Sequence, residues 1–233
     1  MSFRSYIAGL GIPTFTEIQT MNGVAVVALG FSFYLSWPGS EFKAKVEREA
    51  GKPVKMEPGL TRRAMAVTGV HALGLFVPAL TFLVALPVNQ FVMPKWLARA
   101  DLPWTPSPNV YYAVRAAGCV GAISLGALMV SVFNTLGSQW NFLGVRERPK
   151  LVNSGVYSLV RHPMYSLAMG EEVFMAMMFW NWMPLVALAG VLIPAFAIKM
   201  PMEEQAMLDN KEMGDAYKAY KKQVPWRVFP YIW

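Results

Sequence analysis

Cysteine, histidine and charge are all scarce in this chain, and each scarcity closes a class of explanation. The single cysteine, Cys119, lies inside an apolar run, so the chain contains no disulfide framework and the residue reads as a small buried apolar group. With only His71 and His162 beside it, no Cys/His spacing of the zinc type exists, and no metal is expected. Charged residues make up 15% of the sequence and apolar residues 55%. Ordinary soluble domains carry about a quarter and about 45–50% respectively. The sequence has no GxGxxG, no phosphate-binding loop of the GxxxxGK type and no GxSxG elbow. Internal repeats and low-complexity tracts are absent too. The opening MSFRSYIAGLGIPTFTEIQT joins no basic stretch to an apolar core and a small-residue cleavage site. The expectation is that no signal peptide is removed and that the first membrane span directs insertion.

What is abundant is clustered apolar sequence, in runs long enough to cross a hydrocarbon core of about 30 Å. Residues 21–37, 64–86 and 110–136 each read as one span. Residues 164–200 are about twice a span, broken by Asn181-Trp182-Met183-Pro184. Asn bonds readily to its own backbone and Pro forbids simple continuation, so this break predicts a helical hairpin. Backbone groups at membrane depth must be paired internally, which makes helices the default. The predicted fold is therefore an all-α integral membrane protein with about five membrane helices. Its two parts are residues 1–136, holding N-terminal membrane helices and an amphipathic loop, and residues 137–233, holding the C-terminal hairpin.

The net charge of +7 raises the question of nucleic acid, but its distribution answers otherwise. Residues 38–63 hold seven Lys and Arg, residues 137–163 four, and the tail after Pro201 five. If the spans alternate, those sixteen lie on one face, and Arg4, Lys95 and Arg99 on the other. That is the positive-inside pattern, so the basic face and the C-terminus are expected to be cytosolic, with a lipid bilayer and no nucleic acid as partner. The compartment would be the endoplasmic reticulum in a eukaryote or the inner membrane in a bacterium. Arg115, near the far end of its span, is expected to snorkel.

Two charged islands bracket the hairpin. The first, LVNSGVYSLVRHPMY (residues 151–165), has a turn at Gly155 and another at Pro163. It gathers Tyr157, Arg161, His162 and Tyr165 where chain enters lipid, which suits either a cofactor pocket or a set of interfacial anchors. The second is Lys199-Met-Pro-Met-Glu203-Glu204. Lys199 and Glu203 share a helix face if the helix continues through Pro201. The hairpin returns both islands to the same membrane face. Glu171 and Glu172, in the first turns of the hairpin, are expensive there, and their alternatives are a shallow headgroup position, contact with an acceptor, or neutralisation of Arg161.

The first island matches L-V-x-x-G-x-Y-x-x-x-R-H-P-x-Y, and with Glu203-Glu204 and GDAYKAYKKQVP (residues 214–225) it resembles the isoprenylcysteine carboxyl methyltransferase family and related membrane methyltransferases. The resemblance covers residues 137–233. It implies S-adenosylmethionine as cofactor, in a pocket at the cytosolic face. Leu151, Val152, Tyr157, His162, Pro163 and Tyr165 match residues lining that site, Gln139 matches a family glutamine, and Glu203 matches the cofactor-binding glutamate. A carboxylate suits the cofactor's ammonium, and aromatic faces suit its sulfonium. Lys199 stands where the family places an acceptor-binding arginine, keeping the charge without the fork. Pro149 replaces a histidine, and the tail VPWRVFPYIW departs from the family's ending.

The implied activity is methyl transfer to a lipophilic acceptor, foremost the carboxylate of a prenylated cysteine, with Lys199 and Arg161 as catalytic residues and Lys199, Glu171 and Glu172 on the acceptor side. The rival acceptors are a phospholipid amine or a small thiol. A membrane NADPH-dependent sterol-type reductase and a non-catalytic scaffold are the rival classes.

Overall fold

The computed structural model describes residues 4–7, 10–13, 15–54, 58–104, 106–141 and 144–233. Nine α-helices occur among them: α1 (Glu17–Leu35), α2 (Ser40–Ala50), α3 (Pro58–Val88), α4 (Lys95–Ala98), α5 (Pro108–Leu136), α6 (Pro163–Phe179), α7 (Met183–Ala187), α8 (Ile193–Leu208) and α9 (Gly214–Gln223). A π-helical segment, Leu188–Leu192, joins α7 to α8 into one rod. Four helical stretches, Glu17–Ala50, Gly59–Val88, Pro108–Gln139 and Met183–Leu208, are long and apolar enough to cross a membrane. With α6, at 17 residues, they make the five helices of the bundle. The one unexpected element is a short antiparallel hairpin ahead of α1, β1 (Arg4–Ile7) paired with β2 (Leu10–Pro13).

Local chemistry accounts for the boundaries. Thr16 and Gln19 form a reciprocal capping box that starts α1. The hairpin turn falls at the Asn-Trp-Met-Pro break. Trp180 takes the left-handed conformation (φ 53°, ψ 46°), Asn181 Oδ1 accepts a hydrogen bond from Met183 N at 3.0 Å, and Pro184 sits in the first turn of α7. The segment around α4 holds this turn from outside. Asn181 Nδ2 donates to Leu97 O (3.0 Å), Leu102 N to Trp180 O (2.9 Å) and Trp182 N to Ala100 O (2.7 Å).

Each long helix presents apolar side chains outward, among them Val27, Val84, Val120 and Val186, all more than half exposed. Such a surface suits lipid, where burying apolar groups gives no drive for helices to associate. Close backbone approach has to supply it. Gly118 of α5 sits so near α6 that a Cβ there would lie 2.8 Å from Met178 N, and at Gly126 it would lie 2.9 Å from Ser32 O of α1. Ser32 Oγ also donates to Ala122 O at 2.8 Å, tying α1 to α5. Between α3 and α6, Phe82 and Phe179 stack at 4.0 Å and 4°.

Arg115 does not snorkel as the sequence suggests. Its guanidinium is buried at the α1–α5–α6 junction, donating to Met178 O, Asn22 Oδ1 and the Tyr111 hydroxyl. Three acceptors inside the bundle replace the water that snorkelling would have reached.

The three basic segments meet at one end of the bundle, opposite the α4 segment. Arg148 donates from Nε to Glu49 O (2.9 Å) and from Nη2 to Arg48 O (2.8 Å), and Arg146 Nη1 donates to Gly51 O (2.7 Å). The tail joins through Arg161 N to Trp226 O (3.0 Å) and His162 N to Arg227 O (2.7 Å). Cysteines introduced singly at the exposed Lys52 and Lys222 should therefore react with an impermeant maleimide from the same side of a sealed membrane. Labelling from opposite sides would refute this arrangement. In detergent, Gly118→Ala should lower stability by about 1–3 kcal/mol through overpacking. Gly69→Ala, at an exposed helical position with open space, should be neutral or gain up to about 1 kcal/mol.

Candidate functional site

At the basic end, the bundle opens into a cavity of about 350 Å³, walled by α1, α3, α5, α6 and α8. Phe33, Trp37, Leu75, Phe76 and Met129 give it an apolar body, while His162, Tyr165, Lys199 and Glu203 give it a polar end. A smaller recess of about 80 Å³ adjoins it, lined by Leu151, Val152, Tyr217 and Tyr220 among others. Gln139, Tyr157 and Arg161 line both.

The polar end is built on α8 and the start of α6. Helix α8 runs straight through Pro201, so Lys199 and Glu203 lie one turn apart, with Nζ 3.7 Å from Oε1. The Tyr165 hydroxyl donates to the same Oε1 at 2.7 Å. Glu203 is the carboxylate that faces the cavity. Adjacent residues on a helix point about 100° apart, so Glu204 faces the other way. It is 2% exposed and surrounded by cations: Arg161 Nη2 at 2.9 Å, Lys221 Nζ at 2.9 Å and Arg227 Nε at 3.2 Å. His162 stands between the two glutamates, with Nε2 3.3 Å from Glu204 and Nδ1 3.6 Å from Glu203.

Aromatic rings form a column along the polar end. His162 stacks on Tyr165 (5.5 Å, 8°), Tyr165 stacks on Phe196 (4.3 Å, 17°), and the ring of His71 leans on Phe196 at 5.4 Å. Lys199 Nζ lies 5.6 Å above the Tyr165 ring. In the recess, burial pushes the Tyr157 phenol well up and that of Tyr220 up to about 12. Both rings are therefore uncharged at neutral pH. The Tyr220 hydroxyl donates to Tyr157 O at 2.6 Å, and Leu151 packs on Tyr217, Tyr220 and Val224. Gln139 fixes the approach to the recess by accepting from Lys150 N at 2.9 Å.

Of the residues singled out in the sequence, Gln139, Leu151, Val152, Tyr157, Arg161, His162, Pro163, Tyr165, Lys199 and Glu203 thus come together around the two cavities. Glu171 and Glu172 do not line them. Both are buried within the helix packing of α6, away from headgroups and from Arg161, whose neutralising partner is Glu204. Arg161 also spends its remaining reach on the tail, donating from Nη1 to Val224 O at 2.6 Å, which makes it a positioning group.

The sequence reading missed three contributors. Thr68 and His71 of α3 line the cavity, and their only signal was polarity inside a span, a feature that does mark functional positions. Arg227 was missed because nothing in the tail's composition says which buried anion it meets.

The Glu204 cluster predicts a separation of effects. Glu204→Gln removes the anion paired with the buried Arg161 guanidinium and should destabilise the protein in detergent by about 3–5 kcal/mol, the range for breaking a buried pair. Glu203→Gln, at the neighbouring position and turned to the cavity, keeps an acceptor for Tyr165 but leaves Lys199 without its anion, and should cost less, about 1–2 kcal/mol. Equal losses in thermal unfolding would contradict the separation.

Comparison with known proteins follows the same geometry. Residues 117–209 match the model of the isoprenylcysteine carboxyl methyltransferase (ICMT) family. That stretch includes the RHPxY segment, the hairpin, Lys199 and both glutamates. Protein-S-isoprenylcysteine O-methyltransferase B of Arabidopsis thaliana is 35% identical over 79 residues, which is 34% of this chain. The match spans 39% of the length of that relative. Helices α1 to α4 fall outside the family match. The portion of the chain that builds the polar end, residues 117–209, is thus similar to the isoprenylcysteine carboxyl methyltransferase family.

Proposed function

We propose that this protein transfers a methyl group from S-adenosylmethionine to the carboxylate of a lipophilic acceptor, of the prenylated-cysteine type, at the cytosolic face of a membrane. One observation carries the reading. Lys199, buried, and Glu203, half-buried, lie one turn apart on α8, and both face a cavity whose body is apolar. A cavity that offers an anion, a cation and apolar walls suits two partners, one cationic and one amphipathic.

The donor set fits the cofactor. Glu203 would take its ammonium, the His162–Tyr165–Phe196 faces suit its sulfonium, and the recess of Leu151, Val152 and Tyr157 suits an aromatic base. When bound, S-adenosylmethionine supplies an already activated methyl group. The protein's own contribution is then alignment and exclusion of water. Lys199 orients the acceptor carboxylate, which is ionised at neutral pH and needs no base. Methyl transfer to that carboxylate would ask the chain for no proton acceptor, and Lys199 would hold the carboxylate in line with the donor. An amine acceptor would have to lose a proton, and Glu171 and Glu172 do not line the cavity to receive it. The sixteen-to-three distribution of Lys and Arg supports a cytosolic orientation, in the endoplasmic reticulum or a bacterial inner membrane.

Thermal unfolding in detergent with S-adenosylmethionine, its demethylated product or NADPH tests the cofactor. Either of the first two at 100 times its dissociation constant should add about 2.7 kcal/mol. Stabilisation by NADPH alone would overturn the proposal. With radiolabelled donor and a prenylcysteine acceptor, Glu203→Gln should raise the KM for the cofactor, and Lys199→Met that for the acceptor. Each loss should be roughly tenfold or more, as for a charge-assisted hydrogen bond of about 1.5–3 kcal/mol. Lys199→Arg should retain activity, because a fork suits a carboxylate. Unaltered acceptor kinetics in Lys199→Met would exclude the orienting role.

A further inference from the structure

Taking the proposed methyl transfer as its basis, we infer that Thr68 and His71 of α3 hold the acceptor's head group together with Lys199. Acceptor recognition is then built partly from helices that lie outside the family match. The inference starts from unmet polar groups. Thr68 Oγ1 and His71 Nδ1 are both buried without a hydrogen-bond partner. Buried hydroxyls and ring nitrogens are nearly always bonded, because leaving them dry carries the full desolvation penalty. Two such atoms three residues apart share one helix face. That face is the cavity wall, since both residues line it.

Their surroundings identify what they would bind. The His71 ring is 5.4 Å from Phe196 and 6.4 Å from Tyr165, and Lys199 Nζ stands 5.6 Å from Tyr165 on the same aromatic column. A cation, a hydroxyl and an imidazole lining one cavity can together form a site for an anionic, hydrogen-bond-accepting head. Glu203 already engages one side of Lys199 and the Tyr165 hydroxyl. The unmatched donors are therefore the pair on α3. Beyond them, Phe33, Trp37, Leu75, Phe76 and Met129 continue the wall with purely apolar or aromatic surface. The chemical class is a carboxylate carried on a long hydrocarbon. The lysine, a point charge where the family resemblance suggests a bidentate arginine, gains from α3 the directional donors it lacks.

The test uses the full-length protein in detergent, with an N-acylated S-prenyl cysteine as acceptor and its carboxamide as a competing ligand. Thr68→Val keeps shape and removes the hydroxyl, and His71→Phe keeps the ring and removes both nitrogens. Each should raise the acceptor KM roughly three- to tenfold, the range for losing one hydrogen bond, while stabilisation by S-adenosylmethionine persists. Preference for the carboxylate over the carboxamide should shrink in both variants. His71→Asn, which restores a donor, should recover part of the loss. Unchanged acceptor KM and unchanged preference in both variants would refute the inference. So would a loss confined to kcat with a shifted pH profile, which would make His71 a proton acceptor for some other nucleophile. If the wild type is not stabilised by S-adenosylmethionine, the methyl-transfer reading fails instead. Binding of the prenyl carboxylate, followed by thermal shift in wild type, Thr68→Val and His71→Phe, then still decides the head-group site. Weaker binding by the variants would uphold it, and equal binding would refute it.

Discussion

A carboxylate that cannot reach water must be matched by cations, and Glu204 is where this bundle meets that constraint. It draws Arg161 from the loop before α6, and Lys221 and Arg227 from the tail, onto one point of α8. The match closes the tail over the hairpin's open end. It also sets His162, whose Nε2 lies against the same carboxylate, and so fixes the plane of the ring on which Tyr165 stacks. Replacing the cluster by apolar groups need not destabilise the protein, but breaking it from one side leaves bare charge in a dry place. Geometry at the cavity thus depends on an interaction that does not face it.

The two consecutive glutamates show how a helix divides labour. Because neighbouring side chains diverge by about 100°, Glu204 turns to the tail while Glu203 turns to the cavity. Glu203 is held more lightly, by Tyr165 at 2.7 Å and Lys199 at 3.7 Å. A group held lightly beside a cavity can exchange its partners for a ligand's ammonium, provided that Lys199, which it releases, meets an anion in the same cavity. A group held by three cations cannot.

Much of this was legible in the sequence, for identifiable reasons. Local chemistry wrote the hairpin: Asn181 bonds to Met183 N, and Pro184 starts the next helix, as those residue types predict. The gathering of three basic segments followed from counting charge by loop. Properties that depend on tertiary neighbours were not legible. Arg115 stays inside because Asn22, 93 positions away, offers an acceptor, and no periodicity announces that pairing. Glu171 and Glu172 lie in the right part of α6 but on its packed face, and a one-residue difference in phase decides between packing and cavity. Helices from both sides of residue 136 meet at the site, since α1 and α3 wall the same cavity as α6 and α8.

That shared cavity bears on how such a protein would diverge in substrate while keeping one reaction. The polar end comes from the family-matched stretch: His162, Tyr165, Lys199 and Glu203 all lie on α6 and α8 or just before them. The proposed methyl transfer would call on those groups, because an activated methyl donor asks for alignment more than for acid or base. The apolar body is shared: Phe33, Leu75 and Phe76 come from α1 and α3, which have no part in the match, while Met129 and Phe133 come from α5 within it. Lipid imposes little on those helices beyond apolar surface and close packing, so their cavity-facing positions can change with small effect on insertion. The lysine in place of an arginine fits this division. Under the proposed function, the point charge at Lys199 would take its direction from Thr68 and His71, and the apolar wall that α1, α3 and α5 share would receive the acceptor's tail.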